Sequence, residues 1–164
     1  MSAFSTTGAD LITERLVLRP WPTGELTAVR LGDRTPGWAP DFPAEGDRVI
    51  AGVLADHPGL LGPYGHRQIA ERASGLVVGS IGLFWPPLDG VVEIGYGMVP
   101  SRRGQGYATE ATRALVAFAL TAPEVKAVRA TTELTNPASI RVLEKAGLRR
   151  VGGDSATAEF RNIE

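Results

Sequence analysis

The chain has no cysteine, which removes disulfide bridges, thiolate metal ligands and a cysteine nucleophile together. It has no excess of either charge. The 17 Lys and Arg against 18 Asp and Glu leave a net charge of −1, which offers no electrostatic footprint for nucleic acid or a membrane surface. Long hydrophobic runs are missing too. The most apolar stretch, Gly75 to Trp85, is too short to cross a bilayer, and Met1 to Asp10 lacks the basic start and apolar core of a signal peptide. A cytoplasmic location is therefore expected. Histidine occurs twice, at His57 and His66, without metal-ligand spacing, so no metal is expected and both read as surface or satisfied core residues. The 20 glycines and 12 prolines are scattered rather than gathered into a linker.

What the chain does have is concentrated between Arg102 and Ala111, Arg-Arg-Gly-Gln-Gly-Tyr-Ala-Thr-Glu-Ala. An apolar run, Val91 to Val99, precedes it and ends at Pro100, which has no amide hydrogen for a strand ladder. Ala108, Ala111, Leu115 and Phe118 then recur at helical spacing. A helix opening near Gly106 points free amides and a partial positive charge at an anion. Gly104 and Gly106 allow a tight turn and close backbone approach, and the two arginines add positive charge. This geometry suits a pyrophosphate. The P-loop string is absent, and the dinucleotide fingerprint fails because Thr109 stands where its third glycine belongs.

The order of elements is mixed. Residues 1–10 read as a flexible tail and 11–164 as one domain, a size that can bury a substantial core. Leu16 to Trp21 forms a first strand, followed by a helix to Leu31 with Thr23 as its expected cap. Thr35 to Pro43, rich in proline and aromatics, is a loop. A second helix starts at Gly46 or Asp47 and stops before Pro58. His66 to Ala73, Leu76 to Trp85 and Val91 to Val99 suggest an antiparallel meander. After the Gly106 helix come a strand at Val125 to Glu133, a helix from Asn136 to Ala146 with Gly147 at its C-terminal end, and strands at Leu148 to Val151 and Ala158 to Ile163. No internal repeat or domain boundary is visible. This is an α+β order.

Arg103, Gly106 and Ala108 match an Arg/Gln-x-x-Gly-x-Gly/Ala pattern, and the longer string Arg-Gly-Gln-Gly-Tyr-Ala-Thr-Glu-Ala resembles the acetyl-CoA loop of the GNAT superfamily of acyl-CoA N-acyltransferases. The resemblance extends from about Leu11 to Ile163. The segments Thr13 to Trp21 and Asn136 to Leu148 are similar to the opening strand and the late helix of its Rim-type branch, which includes the acetyltransferases of ribosomal-protein N-termini. The resemblance implies a mostly antiparallel mixed sheet of about six to seven strands flanked by about four helices. It implies direct acetyl transfer from acetyl-CoA to a primary amine: a protein N-terminus, a lysine or a small molecule. Monomer and homodimer both remain open.

The resemblance also assigns roles. Arg103, Gly104, Gln105, Gly106, Tyr107, Ala108 and Thr109 would cradle the pyrophosphate, and Met98 and Val99 would offer backbone groups beside a bulge at Gly95 and Gly97. Asn136 and Ser139 would touch the CoA arm, although both also suit a helix start. An amine must lose a proton to attack, since its pKa is about 8 at an N-terminus and about 10.4 in lysine. Glu93, interrupting an apolar strand, is the candidate base; its bland alternative is a carboxylate paired with arginine. Many relatives carry a tyrosine acid where this chain has Leu143, so Ser139 is the candidate acid. Trp38, Asp41 and Phe42 are the candidate acceptor residues, unless the aromatics pack down on the core. Two rivals stand beside this reading: a non-catalytic acyl-CoA-binding module of the same fold, and a nucleotide-binding protein.

Overall fold

The computed structural model describes residues 3–162. Among the described residues, nine strands form one sheet in the order β1-β2-β3-β4-β5-β6-β7-β9-β8. They are β1 (Ser5–Thr7), β2 (Asp10–Ile12), β3 (Leu16–Pro20), β4 (His66–Glu71), β5 (Val77–Leu88), β6 (Val91–Met98), β7 (Ala127–Glu133), β8 (Leu148–Gly153) and β9 (Thr157–Asn162). Four α-helices accompany them: α1 (Thr23–Leu31), α2 (Glu45–Asp56), α3 (Tyr107–Ala119) and α4 (Pro137–Lys145). The α+β class is as expected, with more strands. The additional pair, β1 and β2, lies where a loose tail is expected from the sequence, because strands of three residues are too short to show a period. Phe4 packs edge-on against Phe118 of α3, and Arg67 bonds the Ala9 carbonyl at 2.7 Å. Ile163, the expected end of the last strand, lies outside the described residues.

The helices cover opposite faces of the sheet, and side-chain alternation sorts the contacts between them. In β4, Gln68 reaches Glu25 of α1 at 2.9 Å. Glu71, of opposite parity, accepts from Tyr107 of α3 at 2.7 Å. Ser80 of β5 donates to Asp47 of α2, on the Gln68 side. The core fills the space beneath both helix layers, with Leu16, Leu18, Ile69, Ile81, Leu83, Leu115 and Phe160 essentially inaccessible. At the start of α1, Pro22 holds the cap position and Thr23 is the first helical residue.

Among the described residues, every pairing of these strands is antiparallel except β6 with β7. That parallel contact is brief. It runs from Val91–Ala127 to Glu93–Arg129 and stops. Beyond Glu93 the strands part, and β6, β7 and α4 line the gap between them. β5 continues through Pro86 and Pro87 with a register shift between Phe84 and Leu88.

Candidate active site

Helix α3 begins at Gly106, whose φ of 83° is left-handed and whose position carries no side-chain cap. The first intrahelical bond is donated by the Glu110 amide to the Gly106 carbonyl at 3.0 Å. The amides of Tyr107, Ala108 and Thr109 therefore precede the hydrogen-bonded ladder and point out of the helix end. They open into a cleft of about 550 Å³ whose wall includes Arg102, Arg103, Arg141 and Lys145. An uncapped helix start ringed by four cations fits an anionic, phosphate-bearing ligand.

The loop is clamped by the segment Thr13 to Arg15. Arg15 Nη1 donates to the Gln105 carbonyl at 2.8 Å, and Arg15 Nε meets Glu110 of α3 at 2.7 Å. The Thr13 hydroxyl and the Arg15 amide bond the other Glu110 oxygen at 2.5 and 2.8 Å. Arg15 also lies 4.6 Å over the Tyr107 ring. Burial alone would raise the Glu110 carboxyl, but the Thr13 and Arg15 contacts outweigh it and hold it below its usual range. Below the loop, Glu71 accepts from Ser74, Tyr107 and Arg102. The hydroxyls of Ser74 and Tyr107 are the main causes that lower its carboxyl to about 2. Thus β3, β4 and α3 all brace one turn.

At the far end of the cleft stands Tyr96 of β6. Its hydroxyl lies 2.7 Å from Ser139 Oγ, and both residues line the cleft together with Asn136. The Asn136 side chain accepts from the Ser139 amide at 3.2 Å, so Asn136 caps α4 as its residue type suggests. Burial pushes the Tyr96 phenol above its usual range, with the Ser139 bond acting the other way. Leu143 is buried at 1% exposure in the wall of the gap between β6 and β7. A phenol is thus present at this point, supplied by a strand rather than by helix α4. The only sequence signal for it was its place in the alternation of β6, two residues beyond Ile94.

The expected site residues divide into two groups. Met98, Arg103, Gly104, Gly106, Tyr107, Ala108, Thr109, Asn136 and Ser139 line the cleft. Gln105 lies beside it and offers its carbonyl to Arg15. Val99 does not take the expected part, because its amide donates to Val78 O at 2.9 Å and its carbonyl accepts from the Arg102 amide at 3.0 Å. The expected bulge at Gly95 and Gly97 is absent from the pairing with β5, which is regular from Gly79–Met98 to Phe84–Glu93. Gly95 has a packing role, since a Cβ there would stand 3.2 Å from the Phe84 ring.

The structure does not bring Glu93 to either cleft wall. It sits on the α1 and α2 side of the sheet, opposite Phe84, and pairs with Arg129 at 3.1 Å. The acceptor residues expected in the early loop are also placed elsewhere. Trp38 and Phe42 are core residues at 5% and 0% exposure, packed on each other at 5.2 Å, with Trp21 against Phe42 at 5.9 Å. Burying these large apolar surfaces is worth more than presenting them to solvent. Asp41 is engaged with Ser101, accepting from its amide at 2.8 Å and its hydroxyl at 2.9 Å. Although burial raises it, these two bonds lower the Asp41 carboxyl overall. It ties the early loop to the turn before α3.

The sheet thus splits beside an uncapped helix start whose cleft is lined by cations. The GNAT acetyltransferase domain family matches residues 15–149, and the chain belongs to it. No match is found among curated proteins. Among solved structures, an acetyltransferase from Agrobacterium tumefaciens is similar at 25% identity, covering 98% of this chain and 96% of its own, with a TM-score of 0.69. A protein provisionally assigned as a ribosomal-protein-serine acetyltransferase from Vibrio cholerae is 18% identical over 100% of both chains, with a TM-score of 0.67. AAC(6')-Ib in complex with paromomycin and acetyl-CoA is 22% identical, covering 91% of this chain and 93% of its own, with a TM-score of 0.61. Among the described residues, no helix is long and apolar enough to cross a membrane.

Proposed function

We propose that the protein is an acetyl-CoA-dependent N-acetyltransferase that moves the acetyl group directly to a primary amine. One observation carries the reading: the cationic cleft at the α3 start runs to the Tyr96–Ser139 pair, where the sheet opens between β6 and β7. When bound, acetyl-CoA would supply an activated thioester. The amides of Tyr107, Ala108 and Thr109, with Arg103, hold the pyrophosphate. Met98 lines the path between cradle and junction.

The acceptor ammonium gives one proton to water before attack. As the C–S bond breaks, Tyr96 protonates the departing sulfur and regains a proton from the new amide nitrogen through water, with Ser139 orienting its hydroxyl. The phenol is protonated at neutral pH, as a donor must be, although burial makes it a weaker acid than a free tyrosine. Glu93 serves the sheet through its pair with Arg129. The absence of cysteine agrees with direct transfer rather than an acyl-cysteine route. The Rim-type likeness of the Thr13 and Asn136 segments places peptide N-termini among the acceptors to be tried, beside polyamines and aminoglycosides. Incubation of acetyl-CoA with such a panel, read as free CoA and as acetylated amine, tests the reading. Transfer to at least one amine is expected. Tight acetyl-CoA binding with no transfer to any would favour a non-catalytic acyl-CoA-binding module.

A further inference from the structure

The geometry points to Glu133, in the gap between β6 and β7, as the carboxylate that binds the acceptor's ammonium. The inference rests on the acetyltransferase reading and adds the residue that holds the acceptor. The main cleft and the gap share Tyr96, Asn136 and Ser139, so they meet at one junction. Their charge is opposite. The main cleft is lined by Arg102, Arg103, Arg141 and Lys145 with no carboxylate among its described lining residues. Among the described residues lining the gap, of about 290 Å³, Glu133 alone is charged. A ligand with its anionic end among those cations and its reacting carbon at the junction meets its partner from the gap side.

Glu133 is free for that partner. It is exposed at the end of β7, and its nearest polar side-chain contact is the neutral Thr135 hydroxyl at 3.4 Å. No cation pairs with it among the described residues. Arg129, two side-chain steps earlier on the same face of β7, is held by Glu93 at 3.1 Å and Glu159 at 3.6 Å. The other two candidate carboxylates, Glu93 and Asp41, are both engaged. Across the gap stands Gly95, which projects no side chain into it. Further along β6, a Cβ on Gly97 would meet no atom within 4 Å. Aliphatic amines are cations at neutral pH, with pKa values of about 10, whereas an arylamine arrives neutral and gains nothing from the carboxylate.

The test begins with calorimetry of acetyl-CoA and with free-CoA release on spermidine, an aminoglycoside, an alanine-ended peptide, benzylamine and aniline. The aliphatic acceptors are expected to react and aniline to be poor. With the best acceptor, Glu133→Gln should raise its KM about tenfold, in the range of a hydrogen bond to a charged group, with kcat little changed. Acetyl-CoA affinity should hold, and the rise of acceptor KM with salt should flatten. The exposed, remote Glu124→Gln is the control and should match the wild type. CoA release with an unaltered acceptor KM in Glu133→Gln would overturn the site while leaving the acetyltransferase reading intact. A preference for aniline over benzylamine would do the same. Acetyl-CoA binding without transfer to any of the five amines would overturn both.

Discussion

In the proposed reaction, Tyr96 is the side chain on which most of the chemistry turns. Tyr96→Phe keeps the ring and its packing while removing the hydroxyl bonded to Ser139. Its kcat should fall about ten- to a hundredfold, at or below the usual range for acid catalysis because a thiolate leaves readily. Acetyl-CoA affinity should stay nearly constant. A donor phenol is active while protonated, so activity should fall at high pH as it ionises, above the ordinary phenol pKa because burial raises it. That basic limb should vanish in Tyr96→Phe. Ser139→Ala should have a smaller effect in the same direction. Glu93→Gln is expected to keep kcat within about twofold, because Glu93 touches Arg129 and not the junction. A collapse in kcat without loss of fold would return Glu93 to the chemistry. Asp41→Asn should weaken acetyl-CoA binding through the Ser101 contacts, with acceptor KM unmoved at saturating acetyl-CoA.

Among the elements, the turn into α3 was the most legible because its demands are local. Two glycines with φ of 76° and 83°, flanked by arginines and a helical period, state their geometry in consecutive residues. Gly106→Val meets both a left-handed backbone and the Arg15 guanidinium, whose Nη2 would stand 3.2 Å from a Cβ. It should abolish measurable CoA binding, while Arg15→Ala, which frees Gln105 and Glu110, should weaken it about tenfold. The long strands were legible for the same reason, through period-two or apolar runs. Illegible parts depend on distant partners. Trp38 and Phe42 look like a binding loop until Trp21, from another segment, is seen packed against Phe42. The Thr13–Arg15 segment was recognisable, but its grip on Glu110 spans 95 residues and leaves no local pattern. The sheet centre is equally long-range. A Cβ on Gly82 would run into the His66 ring of β4, so Gly82→Ala should cost about 1–3 kcal/mol in urea unfolding.

For the whole molecule, His66 and Glu71 carry the largest shifts in the response to acid, beside the smaller ones of Glu110 and Asp41. Burial lowers His66 from 6.5 to about 4, so the fold holds it neutral. Its contribution is fully present above pH 6.5 and is lost as pH falls towards 4. The bonds from Ser74 and Tyr107 lower Glu71 from 4.5 to about 2, so its contribution is present above pH 4.5 and is lost as pH falls through 2. Thermal melting should therefore decline first between pH 6.5 and 4, and His66→Gln should flatten that upper window. A melting temperature unchanged across it would contradict the assignment. The second window loosens the phosphate loop, since Glu71 also holds Tyr107 and Arg102. Fold and function therefore share one anchor, the turn at the start of α3. Calorimetric titration of acetyl-CoA into the wild type and into folded Gly106→Val protein tests this most directly. Saturable one-to-one binding by the wild type and none by the variant is the predicted result. Equal affinity in the two proteins would place acetyl-CoA elsewhere and contradict the account.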